Sequence, residues 1–344
     1  VTWLTTVTDV LTPAPPTTGA RRVRRGHGRL RSSGEVIALL VLLLVFTLLN
    51  PGTFATLTNA RTVLDQAALP LVVGVGATLV ILMGSIDLSV EGVMGAAGMT
   101  FVLLSANSRG GESHGALALV AALAVGLLIG LLTALIHTRL RVPTFIASLG
   151  VWYIGLGVAT LLYGTEGIPN FSDPATANWA SRLLLGLPHS FWLAAAVVVL
   201  GLLVGRYTRL GRSAYALGAD ERIARDNGVR AARTKVLVFV VAGGCSALAG
   251  VLASLQLGAG SVTLGAGTLF LTIAAVVIGG TSLGGGRGGV ARTALGVLLL
   301  TVLNNGLILS GVSPNIQSAV SGAVLIGAIV AAAWPHRSRL RVVK

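Results

Sequence analysis

The chain is predicted to be an all-α, polytopic integral membrane protein of about ten transmembrane helices with both termini cytoplasmic. Composition is the first reason: 54% of the 344 residues are hydrophobic and 10% charged, with a mean hydropathy of +0.86, outside the range of soluble domains. The second is the recurrence of apolar segments long enough to cross a hydrocarbon core as helix. The third is that the basic residues crowd into alternate gaps between those segments.

Residues 1–34, rich in Thr, Pro, Gly and Arg without apolar periodicity, read as a disordered basic cytoplasmic tail. Arg21, Arg22, Arg24, Arg25, Arg29 and Arg31 precede the apolar run Val36–Leu49, an order that signal peptides share. No small-residue cleavage site follows; Asn50 and Pro51 come instead, so an uncleaved first span is expected. Further apolar segments run over 62–83, 88–105, 116–136, 142–163, 190–207, 234–257, 266–283, 291–310 and 315–334. The membrane domain is thus expected over 35–335, with 336–344 as a basic cytoplasmic C-terminal tail.

A net charge of +14 would suggest nucleic acid as the partner of a soluble protein. Here topology explains it, and no nucleic-acid partner is expected. If the spans alternate, all of the 25 Lys and Arg except Arg61, Arg109 and Arg182 fall on one side. The positive-inside rule makes that side the cytoplasm and leaves the segment 164–189 outside.

Several spans carry small residues four apart: Gly126 and Gly130; Ala242, Ser246, Gly250 and Ser254; Ala319, Ala323, Gly327 and Ala331. Such stripes let helices approach closely in lipid, where packing drives association. Cys245, the single cysteine, lies within an apolar run and reads as packing; no disulfide can form within the chain.

The stretch 206–235, RYTRLGRSAYALGADERIARDNGVRAARTK, holds eight basic and three acidic residues. Burying them in lipid would cost on the order of 25 kcal/mol, so the stretch lies in water on the cytoplasmic side. Within it a short helix is expected over Ala219–Asn227. Asp220 and Glu221 suit its N-terminal end and Gly228 its termination. Its small apolar face, Ala219, Ile223 and Ala224 with Val229 beyond, fits either a helix pressed into a partner's groove or a solvated connection.

Other polar positions stand inside or beside the spans. Asp87, in Gly84-Ser85-Ile86-Asp87-Leu88-Ser89-Val90-Glu91-Gly92, has two readings: a gate, ion site or solute contact, or a cap for the helix that follows. Ser89 and Glu91 share that helix start. Asn304, Asn305, Gln256 and Gln317 suit hydrogen bonds to a polar solute or to neighbouring helices. The glycine-rich run Gly279–Gly289 lacks the Lys and Ser or Thr of a phosphate-binding loop, because Arg287 and Gly288 follow Gly286; it reads as a tight turn that packs or hinges. No metalloprotease signature, aspartate pair or nucleophile with a base is present, and the five histidines are isolated along the chain. No covalent chemistry, metal or bound cofactor is therefore expected on this chain.

From about Val36 to Val330 the chain resembles the permease subunit of a bacterial ATP-binding cassette importer of the ribose/monosaccharide type. Ile86-Asp87-Leu88-Ser89-Val90 and Val142-Pro143-Thr144-Phe145-Ile146-Ala147-Ser148-Leu149-Gly150 are similar to two of its segments. Gly211-Arg212, Tyr215-Ala216-Leu217-Gly218 and Ala224-Arg225 with Gly228 resemble the cytoplasmic loop that touches the ATPase. Ile273–Leu283, Gly285-Gly286-Arg287-Gly288 and Asn304-Asn305-Gly306-Leu307 complete the series. Ser85 departs from a usual Gly, and Val90-Glu91-Gly92 is similar to the nucleoside-transporting relatives.

The resemblance implies a multi-pass inner-membrane subunit. It would work with a second permease copy, identical or paralogous, two cytoplasmic ATPase subunits that carry ATP and Mg, and an extracytoplasmic solute-binding protein. It assigns ATPase coupling to Gly218 through Ala224, Arg225, Asn227 and Gly228. A monosaccharide is the expected solute and a nucleoside or other small polar solute the alternative. The contrasting readings are an ion-coupled transporter using Asp65, Asp87 or Glu91, and a membrane scaffold or receptor.

Overall fold

Uncharged runs of Ala, Leu, Val and Gly become helices in lipid because each backbone N–H and C=O then finds its partner within the segment. The computed structural model, which describes residues 27–110 and 112–333, is accordingly helical. Its elements are α1 (His27–Leu49), α2 (Leu57–Leu82), α3 (Val90–Leu103), α4 (Ala116–Arg139), α5 (Thr144–Tyr163), α6 (Pro174–Ala177), β1 (Leu183–Leu184), β2 (Leu187–Pro188), α7 (His189–Tyr207), α8 (Arg209–Ala219), α9 (Glu221–Asp226), α10 (Ala231–Leu257), α11 (Thr268–Ile278), α12 (Val290–Leu309) and α13 (Pro314–Ala333). Among the described residues, α2, α4, α5, α7, α10 and α12 are long and apolar enough to cross a membrane. Residues 1–26 and 336–344 of the expected tails lie outside the described residues, and α1 begins at His27, inside the expected N-terminal tail.

The molecule is built around α2 and α10. Helix α10 packs against α4, α3 and α2, while α2 packs against α7, α12 and α11. Small residues make the closest crossing possible: a Cβ on Gly243 of α10 would run into the Gly126 carbonyl of α4, and one on Gly250 into the Met94 backbone of α3. The α4 stripe of Gly126 and Gly130 therefore meets Gly243 and Ala247 of α10, one residue along from the expected stripe, whose Ala242 meets Gly76 of α2 and whose Gly250 meets Met94 of α3. On α13 the third differs: Ala319, Ala323 and Gly327 are exposed, and a Cβ on Gly327 would meet nothing within 4 Å.

The arrangement repeats within the chain. α10 meets α3 and α4 as α2 meets α11 and α12, and α3 packs on α5 as α11 packs on α13. In each set the second helix is short: α3 has 14 residues and α11 has 11. At about 1.5 Å per residue neither crosses a hydrocarbon core of about 30 Å. Each follows a non-helical return, Gly84–Ser89 before α3 and Gly258–Gly267 before α11.

Candidate functional site: paired half-helices and a charged platform

Non-helical backbone at membrane depth survives only where protein satisfies its polar groups. Before α3 that satisfaction is explicit. The Ser85 N–H donates to the Val80 carbonyl at 3.1 Å. The Ile86 N–H donates to Thr144 Oγ1 at 3.4 Å and the Leu88 N–H to Ser148 Oγ at 3.0 Å. Thr144 and Ser148 are four residues apart, so one face of α5 carries both acceptors. Asp87 completes the set: its Oδ1 accepts from the Ser89 N–H at 2.8 Å and the Ser89 hydroxyl at 2.6 Å. Asp87 and Ser89 are both buried.

Glu91 serves a different helix from the one it belongs to. The residue before α11, Gly267, has no side chain to cap the helix start, and Glu91 Oε1 accepts from the Leu269 N–H at 3.2 Å instead. The carboxylate thus sits in the first turn of α3 and against the first turn of α11. Two half-helices meet N-terminus to N-terminus, and one negative charge lies between their positive dipole ends.

The four amides read as polar positions all bond to the protein. Asn305 and Asn59 exchange two amide bonds of 3.0 Å between α12 and α2, with both residues buried. Asn304 Oδ1 accepts from the Ser321 hydroxyl of α13 at 3.1 Å. Gln256 donates to the Asp65 carbonyl at 2.9 Å and to its carboxylate at 3.2 Å, and Ser190 also donates to that carboxylate. Gln317 donates to the Val312 carbonyl at 2.7 Å.

On the charged stretch the structure has two helices where a single one over Ala219–Asn227 was expected. The first, α8, was missed, although Leu210, Ala214 and Leu217 repeat at helical spacing; Ala214 and Leu217 are buried. The second, α9, is shorter at both ends than expected. Asp220 closes α8 and caps α9, its Oδ1 accepting from the Ile223 N–H at 2.9 Å. At the other end the Val229 N–H donates to the Ala224 carbonyl at 3.0 Å and the Gly228 N–H to the Arg225 carbonyl at 2.9 Å. This is a Schellman closure, and Gly228 takes the left-handed φ of +82° that it requires.

Ion pairing fixes the platform to the bundle. Lys235, on α10, places Nζ 3.1 and 3.0 Å from the two Glu221 oxygens, and Arg225 pairs with Glu221 within α9. Burial raises the Glu221 carboxyl, but the bond and charge of Lys235, with those of Arg225, outweigh it and hold the group below the usual carboxylate range. Nothing in the local sequence pattern singled out Lys235. Ala224 and Val229 turn inward into a small core with Leu217 and Val238. Ile223 is left 60% exposed, with Arg222 and Arg225 beside it exposed as well.

The last contact joins the platform to the half-helices. A Cβ on Gly218 would collide with the Leu82 carbonyl and the Gly286 amide, while Gly285 lies against Gly218 and Gly84. The Gly286 N–H donates to the Leu82 carbonyl at 2.9 Å, and the Tyr215 hydroxyl to the Gly288 carbonyl at 2.9 Å. Burial pushes the Tyr215 phenol up, against the pull of the Arg292 charge. So α8 rests on the end of α2, which leads to α3, and on the glycine-rich turn that follows α11. Four glycines allow backbone to meet backbone there.

Residues 59–329 match the family described as branched-chain amino acid transport system / permease component. The chain is 37% identical over 301 residues to the ribose import permease protein RbsC of Escherichia coli (strain K12), covering 86% of this chain and 92% of the relative. It is 35% identical over 309 residues to RbsC of Bacillus subtilis (strain 168), at 88% and 93% coverage. It is 33% identical over 322 residues to the galactofuranose transporter permease protein YtfT of Escherichia coli (strain K12), at 91% and 92% coverage. With its apolar helices, this likeness makes the chain a multi-pass protein of the bacterial inner membrane and a member of the branched-chain amino acid transport system / permease component family.

Proposed function

We propose that this chain is the permease subunit of an ATP-driven importer and forms the translocation pathway for a monosaccharide. The observation that carries the reading is its likeness, over nearly its whole length, to relatives named for ribose and galactofuranose transport. In this reading about ten helices span the membrane with both termini cytoplasmic, as the distribution of arginines favours. ATP and Mg belong to separate ATPase subunits, and a solute-binding protein delivers the sugar from outside. A second permease copy covers the exposed small-residue face of α13.

The α8–α9 platform is the site of ATPase coupling. Gly218, Ala219, Asp220, Glu221, Arg222, Ile223, Ala224, Arg225, Asn227 and Gly228 divide between two tasks there. The exposed Ile223, with Arg222 and Arg225, faces the partner. Gly218, Ala224 and Glu221 hold the platform to the bundle, so closure of the ATPases would be transmitted through Leu82, Gly285 and Gly286 to α3 and α11. Asp87, Ser89 and Glu91 are the gate in this account. They shape the start of α3 and its tie to α11.

Charge reversal at Asp220 and Glu221 together is expected to abolish ATP-dependent uptake while ATP hydrolysis and membrane insertion persist. Proteoliposomes holding the permease, ATPases and binding protein would report both rates. Normal uptake by that double variant would remove the platform from the coupling route.

A further inference from the structure

Threonines within these helices ordinarily fold the hydroxyl back onto the carbonyl four residues earlier, as Thr78 does to Gly74, Thr100 to Ala96 and Thr133 to Ile129. Thr272 does not. Its residue is 0% exposed, and its Oγ1 has no hydrogen-bond partner. Leaving a buried hydroxyl unpaired destabilises the fold, whereas Val would fit the same shape at no such cost.

Thr272 lines a crevice with Asp87. The walls are otherwise apolar, with Val73 and Val80 from α2, Val90 at the entry to α3, and Leu269 and Ile273 from α11. Both bonds to the Asp87 carboxylate fall on Oδ1, so Oδ2 has no donor among the described residues. The free volume is about 10 Å³, room for one water-sized group. A carboxylate oxygen and a hydroxyl in an apolar wall match one particular guest, an O–H that donates to the first and accepts from the second.

We propose that this crevice is a subsite for one hydroxyl of a polyhydroxylated solute, held between Asp87 Oδ2 and Thr272 Oγ1. The proposal rests on the monosaccharide-import reading. Water carries the same O–H chemistry and occupies the crevice between transport cycles. Helix α11 forms one wall, the Glu91 bond to Leu269 ties it to α3, and its far end leads into the turn on which α8 rests.

The test uses the full importer in proteoliposomes, with ribose and its monodeoxy analogues as probes. Ribose uptake by the wild type comes first; its absence would count against the ribose-type import reading itself and is separate from the subsite. Given that uptake, Thr272→Val is expected to slow ribose translocation about fivefold. It should also keep or raise the melting temperature, and Thr272→Ser should restore the rate. One monodeoxy analogue is expected to be carried slowly by the wild type and to lose nothing further in Thr272→Val. Wild-type uptake by Thr272→Val would overturn the proposal. An equal loss for ribose and every analogue would assign the site to water alone and overturn it too.

Discussion

Glu91 shows how one side chain can carry a role that its own helix does not explain. Standing two residues into α3, it would ordinarily be read as favouring that helix start; its acceptor instead faces the Leu269 N–H of α11. Glu91→Ala is expected to lower stability by about 1 kcal/mol, the usual cost of a lost helix cap, and to slow uptake because α3 no longer moves with α11. Glu91→Gln keeps an acceptor and should regain most of the stability with less of the transport. Thermal unfolding in detergent beside uptake in proteoliposomes separates the two effects. Asp87 differs in kind. Its Oδ1 is used locally on Ser89, and the residue lines a crevice that only the fold creates.

At the scale of elements, α8 and the glycine-rich turn form one mechanical unit. The turn reads in sequence as a candidate hinge, and the structure shows what it leans on: Gly285 and Gly286 lie against Gly218, and Gly286 bonds Leu82. Gly218→Val is expected to cost about 1–3 kcal/mol by overpacking and to abolish uptake, with membrane insertion retained. A parallel Gly157→Val change is the control, since a Cβ there meets nothing within 4 Å; it should leave stability near that of the wild type. Equal uptake by Gly218→Val and the wild type would show that this backbone contact transmits nothing.

For the whole molecule, the repeated pattern of a long helix followed by a broken one sets the two half-helices against each other from opposite directions. Transport by such a design depends on orientation, and orientation is open to labelling. A cysteine placed at exposed Arg222, in a Cys245→Ala background, is expected to react with an impermeant maleimide only from the cytoplasmic side, and one at exposed Glu166 only from outside. Reversed labelling would overturn the topology and place α8 and α9 away from any cytoplasmic ATPase.

The sequence by itself determined the class and the apolar segments, because hydropathy is a local quantity that each segment carries without its neighbours, and its arginine placement favours the cytoplasmic side for the charged stretch. It also marked Asp220 and Gly228 as helix ends, since capping depends on residues a few positions away. Tertiary structure alone decided the pairings: Lys235 with Glu221, Asn305 with Asn59, Glu91 with Leu269, Thr144 and Ser148 beneath Ile86–Leu88. Each joins residues distant in the chain, and a carboxylate or amide in a sequence shows its capacity for hydrogen bonds without showing its partner. The same reason hid Thr272. A threonine in an apolar run looks like any other until the fold shows that its hydroxyl has been left unpaired beside an aspartate.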